Sequence, residues 1–263
     1  RPSRLKLPEP IGMKPSIPSV TGPKTSEHDV HALAMEVVKL GNRAGLPYIA
    51  ASADVSDPNP MLDKDGSPYA ESLFKWFDPD FHYWDDRTFA LRSGFIQAAR
   101  ICAEPFYFDG KALKSWRTNR APDVFTENAE YDAYGVASAI ICPCYMPYGV
   151  LGAIVWAGDK AVADIAKTFI AHAASMHQLT LKFLSAYREN DSHIALPELV
   201  DLTRREIQCL KWAAIGKTDS EIATIMGISV PTIRFHLTNA GQKLSVSGRA
   251  QAVRVATSLG YIG

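Results

Sequence analysis

Between residues 230 and 244 one helical face carries side chains suited to reading base edges. Val230, Ile233, Leu237, Ala240 and Leu244 recur at steps of three and four and define a buried face. The opposite face then carries Pro231, Phe235, Thr238 and Gln242, with Arg234 and Asn239 beside them. In a major groove Arg can donate two bonds to guanine, and an apolar side chain can meet a thymine methyl. Thr218, Ser229 and Thr232, at the starts of predicted helices, join this surface, and phosphate contact falls to Lys217, Lys243 and Arg249. Residues 196–263 hold eight Lys or Arg against five acids, with no Asp or Glu after Glu221. A duplex approaching that end is expected to meet no fixed negative side chain.

The elements that must position this face are marked locally. Thr203 with Glu206, and Thr218 with Glu221, each make a capping box in which hydroxyl and carboxylate satisfy unpaired amides at a helix start. Gly216 and Gly227 stand where the first two helices must stop. Residues 227–229 form a tight turn, and Ser229 caps a third helix that tolerates Pro231 in its first turn. Four short helices in this order make a helix-turn-helix unit. Gly241 breaks the pattern, since a glycine inside a helix costs about 1 kcal/mol relative to Ala and is expected to loosen the last turn.

Along its whole length this segment resembles the effector domain of LuxR and FixJ type bacterial regulators. The matching residues are LTRRE at 202–206, Gly216, Lys217, Glu221, Ile222, Ala223, Thr232, Ile233, His236, Leu237, Lys243, Leu244, Arg249, Gln251 and Ala252. The resemblance implies that a third helix, roughly 230–244, enters the major groove, and that a fourth, roughly 248–259, helps pair two effector domains.

The remaining chain bounds what controls this unit. Of 263 residues, 1–26 include six prolines and read as an extended or disordered tail, 27–187 as a sensor domain, 188–197 as a linker and 198–263 as the effector. The formal net charge is zero, so the effector's surplus of positive charge is balanced by acids in residues 1–195. No stretch approaches the ~20 apolar residues needed to span a bilayer, so a cytoplasmic protein without membrane contact is expected. Four cysteines, at 102, 142, 144 and 209, lack the spacing of a disulfide framework and read as free thiols. Cys142 and Cys144 are read as small residues lining a strand rather than as a redox pair.

Within the sensor, 28–43 reads as a helix, 46–55 as a strand, 57–67 as a loop, 69–102 as mainly helical, 104–109 as a strand and 122–133 as a helix. A hairpin, 136–146 and 150–157, turns at Pro147, Tyr148 and Gly149, and a long helix covers 160–190. That helix carries Val162, Ile165, Phe169, Ala173, Met176, Thr180, Phe183 and Tyr187 at steps of three and four, a stripe that serves either a core or a partner's seam. The DKDG run at 63–66 reads as a turn, because the first and last ligands of a calcium loop would fall on Met61 and Ser72. The fold class is therefore α/β plus all-α: an N-terminal α-β-α sandwich with a mainly antiparallel sheet, then a C-terminal four-helix helix-turn-helix domain.

Aromatic residues crowd KWFDPDFHYWDDRTF and EPFYF. A pocket for a small apolar molecule would draw on Tyr48, Trp76, Phe77, Phe81, Tyr83, Trp84, Phe106 and Phe108, and an ordinary aromatic core accounts for the composition as well. The run YGVASAIICPCYMPYGVLGAIVWAG and the linker position resemble the acyl-homoserine-lactone receptor branch of the same family. In that branch an Asp-Pro pair supplies the acid that binds the signal's amide, and a Trp follows on the next strand. Aligning EPFYF with that strand puts Phe108 at the Trp position and Ser93-Gly94 at the Asp-Pro position, so the acid is missing. Ala139 replaces a usual glycine, and Val155 stands where some receptors have a hydroxyl. A charge-assisted bond of this kind is worth ~1.5–3 kcal/mol. The expectation is a dimeric transcription factor whose sensor takes another small-molecule signal, or none. A lactone-responsive receptor and an effector controlled by a protein partner are the alternatives.

Two-fold pairing predicts a palindromic operator in double-stranded DNA, with half-sites about one helical turn apart. A phosphorylated receiver is excluded by the lack of its acidic pair near the start. An enzyme, a metal site or a cofactor is not expected: no phosphate loop, ligand spacing or nucleophile elbow is present, and the seven histidines fall in no catalytic pattern.

Overall fold

The computed structural model describes residues 27–78, 80, 82, 85, 88, 92–116, 135–190 and 200–263. The expected tail, the helix at 122–133, most of the linker, and Phe81, Tyr83 and Trp84 lie outside the described residues.

The sensor part opens with helix α1 (Glu27–Arg43) and strand β1 (Tyr48–Ser52), followed by the short helices α2 (Tyr69–Ser72) and α3 (Gly94–Ala99). Strands β2 (Phe106–Phe108), β3 (Leu113–Lys114), β4 (Ser138–Met146) and β5 (Val150–Gly158) precede the long helix α4 (Ile165–Asn190). The five strands form one antiparallel sheet in the order β1-β5-β4-β2-β3. Both faces are covered, which is why β4 and β5 are buried almost throughout instead of alternating.

On one face Ile140, Cys142, Cys144, Ile154 and Trp156 pack against α1 and α4. Trp156 is fully buried, and its Nε1 donates to the Val37 carbonyl at 3.0 Å, which satisfies the one polar atom of the ring. On the other face Phe106, Phe108, Ala139, Ile141 and Val155 pack with Phe95, Ile96, Ala98 and Ala99 of α3. The layers are therefore α-β-α.

Several boundaries differ from the pattern reading, each for a local reason. Residues 73–78 are not helical, because the chain turns to run beside β1: Phe74 N donates to Tyr69 O, and Ile49 N donates to Lys75 O at 2.9 Å. The long helix begins at Ile165 rather than near 160, because Asp164 caps it by accepting from Lys167 N at 2.9 Å. Strand β2 stops at Phe108, where the Asp109 carboxylate accepts the amides of Lys111 and Ala112 and folds the chain back into β3, an element the pattern did not suggest.

The DKDG run is a turn: Asp63 Oδ1 accepts from the amides of Asp65 and Ser67, both at 2.9 Å. All four cysteines are free and buried. Burial pushes the Cys142 thiol far above its ordinary range and Cys144 up to about 11, so neither is a reactive thiolate. Among the described residues, no group of three or more His, Cys, Asp or Glu could hold a metal, and no helix is long and apolar enough to cross a membrane.

The C-terminal part is four helices: α5 (Arg204–Ala214), α6 (Asp219–Met226), α7 (Val230–Lys243) and α8 (Arg249–Ser258). Leu210, Ala240, Leu244, Ala252 and Ala256 close one core, and Cys209, Ile222, Ala223 and Ile233 the other. Gly241 corrects the expectation of a loosened turn. It is buried, and a Cβ there would lie 2.9 Å from the Val246 carbonyl oxygen. The glycine permits close approach of the chain leaving α7, whose Val246 N donates back to Gly241 O at 2.9 Å.

Candidate nucleic-acid interface and sensor cluster

The turn between α6 and α7 is built by its caps. Thr203 and Thr218 each complete a full capping box with Glu206 and Glu221, and the Ser229 side chain accepts from Thr232 N. Gly227 closes α6 at φ 65°, a left-handed conformation that glycine takes without strain. Thr218, Ser229 and Thr232 thus commit their hydroxyls to the helix starts, with Ser229 Oγ also 2.8 Å from Thr232 Oγ1.

Helix α7 presents the expected face. Pro231, Arg234, Phe235, Thr238 and Gln242 are exposed and Asn239 is half-buried, while Ile233 and Ala240 are buried beneath them. Phe235 is 61% exposed, with only the neighbouring His236 ring against it, at 5.8 Å, among the described ring contacts.

The four basic side chains singled out for phosphate or base contact all have acidic partners. Lys217 Nζ lies 2.9 Å from Glu221 Oε1, and Lys243 Nζ lies 2.9 Å from Glu206 Oε2 and also donates to the Asp201 carbonyl. Arg234 Nε and Arg249 Nη1 both donate to Asp219, at 3.2 and 2.6 Å, and Arg249 Nη2 donates to the Lys217 carbonyl. The expectation that a duplex meets no fixed negative side chain is therefore corrected. Folding brings the start of α6 against α7 and α8, and places Asp219 between two arginines.

Glu206 is 3% exposed. Burial pushes its carboxyl up, but the Lys243 ammonium and the Thr203 amide and hydroxyl outweigh that and hold it below the ordinary range. Glu221 is held lower, at about 2, by the Thr218 amide, the Lys217 ammonium and the Thr218 hydroxyl. Asp219 was missed as a site residue. Its partners lie 15 and 30 positions away, so only the helix packing reveals them.

In the sensor, Tyr48, Trp76, Phe77, Phe106, Phe108, Ala139 and Val155 all belong to the cluster on the α3 face of the sheet. Tyr48 and Trp76 flank Phe77, with ring centroids at 4.2 and 4.7 Å, and Phe95 meets Phe108 at 5.7 Å. Ala139 lies directly opposite Phe108, and Val155 opposite Ile141, in the strand register. Ser93 is the N-cap residue of α3, 3% exposed, and makes no side-chain cap bond. The structure thus gathers these residues on one face with a buried hydroxyl, rather than a carboxylate, at its edge.

Comparison with known proteins gives the family. The family model described as bacterial regulatory proteins, luxR family, matches residues 200–256. The transcriptional activator protein EsaR of Pantoea stewartii subsp. stewartii is 30% identical over 183 residues, covering 66% of this chain and 72% of that protein. The transcriptional activator protein PhzR of Pseudomonas fluorescens is 27% identical over 182 residues, 66% of this chain and 68% of that protein. Over a shorter span, the transcriptional activator protein VanR of Vibrio anguillarum is 52% identical across 61 residues, 23% of this chain and 25% of that protein. With EsaR 30% identical across 72% of its length, and the family model matching the capped helices at 200–256, the chain belongs to the LuxR family of bacterial transcriptional regulators.

Proposed function

We propose that this regulator acts as a homodimer on a palindromic operator, and that its sensor answers to a small apolar signal other than a standard acyl-homoserine lactone, or to none. The sensor spans 27–187 and the effector 198–263, joined through 188–197. The observation that carries the DNA reading is the outward face of α7, where Arg234, Phe235, Thr238 and Gln242 stand exposed over a buried Ile233. Arg234 reads guanine, Phe235 meets a thymine methyl, and Thr238, Asn239 and Gln242 supply further donors and acceptors to base edges. Lys217, Lys243 and Arg249 flank them for phosphate, which each would share with the Glu221, Glu206 or Asp219 carboxylate it already meets, and Thr218, Ser229 and Thr232 hold the helix starts beside them.

Pairing is supported on the sensor side by α4. Ile170 is 80% exposed and Leu181 50%, and with Ala174 they fall on one stripe of the helix, whereas His177 within that stripe is half-buried, its Nε2 3.0 Å from the Pro143 carbonyl oxygen of β4. A second copy covering this stripe would set two effectors side by side. The ligand proposal rests on Ser93, whose hydroxyl is a weaker partner for an amide than the acid the family places there.

Selection from a pool of duplexes carrying 20 randomised base pairs tests the DNA reading. Full-length protein should enrich an inverted repeat with half-sites about one helical turn apart. Enrichment of a single asymmetric site, or of nothing, would contradict it.

A further inference from the structure

Asp219 occupies a position that neither the family match nor the base-reading face accounts for. It is the first residue of α6, directly after the Thr218 cap, where the helix amides favour a negative charge. Its two oxygens serve different helices. Oδ1 accepts from Arg249, the first residue of α8, at 2.6 Å, and Oδ2 accepts from Nε of Arg234 in α7 at 3.2 Å. Arg249 is itself held by the Lys217 carbonyl. The carboxylate is therefore anchored on one side, while the arginine it grips on the other is 70% exposed in its side chain.

Two physical consequences follow. With Nε occupied, Arg234 is left to present its two terminal nitrogens end-on, which is one of the geometries that pairs with O6 and N7 of guanine. An exposed Arg otherwise loses much rotamer freedom on docking, and a tether made in advance removes part of that cost. A phosphate approaching the same guanidinium meets a charge already countered, so loose backbone binding is weakened relative to base pairing with a fixed fork.

We infer that Asp219 is a positioning and specificity-determining residue: it holds Arg234 in the orientation that reads a base and suppresses its use as a general phosphate clamp. This rests on the reading of Arg234 as a base contact. The test measures affinity of the full chain, by fluorescence anisotropy, for the duplex recovered from the randomised pool and for the same duplex scrambled. Proteins compared are wild type, Asp219→Asn, Arg234→Ala, the double variant and Arg249→Gln.

Asp219→Asn should bind the scrambled duplex several-fold more tightly, and its preference for the selected duplex should fall about tenfold, within the range lost with one bidentate base contact. In the Arg234→Ala background the Asn change should cost no further preference. Arg249→Gln, which cuts the anchoring arm together with the proposed phosphate contact of Arg249, should weaken both duplexes alike and keep most of the preference. Unchanged preference in Asp219→Asn overturns the inference, as does an equal loss in the Arg234→Ala background or full reproduction of the loss by Arg249→Gln. Should Arg234→Ala retain wild-type preference, the base-reading role of Arg234 itself fails, a result visible without reference to Asp219.

Discussion

The effector and sensor parts of this regulator hold their elements in place by different means. In the effector, the first three helices carry their own start signals, boxes at Thr203 and Thr218 and a cap at Ser229, and a left-handed Gly227 stops the second. In the sensor, the central strands are buried on both faces, and the fate of Ala139 or Val155 depends on a register with residues far along the chain. Local signals mark the helix starts of the effector, whereas the cluster around Phe108 and Ala139 is assembled by non-local packing.

The sharpest way to break this contrast is to damage one part and watch the other. Trp156→Ala removes the largest fully buried side chain among the described residues and the Nε1 bond to the Val37 carbonyl, and should destabilise the sensor by ~3–5 kcal/mol. Urea unfolding followed by circular dichroism should show the sensor transition moved and the effector transition in place. A matching shift in both would mean the two parts share one core.

Next in size, Arg234→Ala should lower discrimination between selected and altered duplexes by ~1–3 kcal/mol, read by anisotropy. Its melting should change little, since the Arg234 side chain is exposed. Gly241→Ala sets helix propensity, which favours Ala by about 1 kcal/mol, against the 2.9 Å approach to the Val246 carbonyl. Overpacking should win with a net loss of about 1 kcal/mol or more in effector stability, whereas a more stable protein would show that the chain after α7 moves aside freely.

The smallest effect expected is one of pH. Glu206 and Glu221 both have folded pKa values below the ordinary carboxylate value of 4.5, so their contribution is fully present above that value and is lost as pH falls through the folded values, about 2 for Glu221. Effector melting should fall between pH 5 and pH 2.5. Glu206→Gln should flatten that slope, and an unchanged slope would remove the Lys243 pairing as its cause.

How much was legible follows the same divide. The caps, the turn and the outward face of α7 could be read directly, because each depends on residues within four positions of one another. Asp109-Gly110 was a readable turn signal that went unused, so β3 was missed. Asp164 was likewise a readable cap, and it moved the start of the long helix. Asp219 could not be found this way, since its arginine partners come from two other helices. Nor could the path of residues 73–78, which is decided by hydrogen bonds to β1 and not by local preference.

The central proposal joins an effector that binds DNA with a sensor in which Ser93 takes the place of a lactone-binding acid. It is tested most directly by melting the full-length protein with an acyl-homoserine-lactone panel and, separately, with the selected duplex. A partner present at 100 times its dissociation constant adds ~2.7 kcal/mol to the folded state. The duplex should raise the melting temperature, and the lactones at micromolar concentration should leave it unchanged. Stabilisation by any one lactone in the nanomolar range would contradict the account, showing that Ser93 and its neighbours bind the signal without the acid.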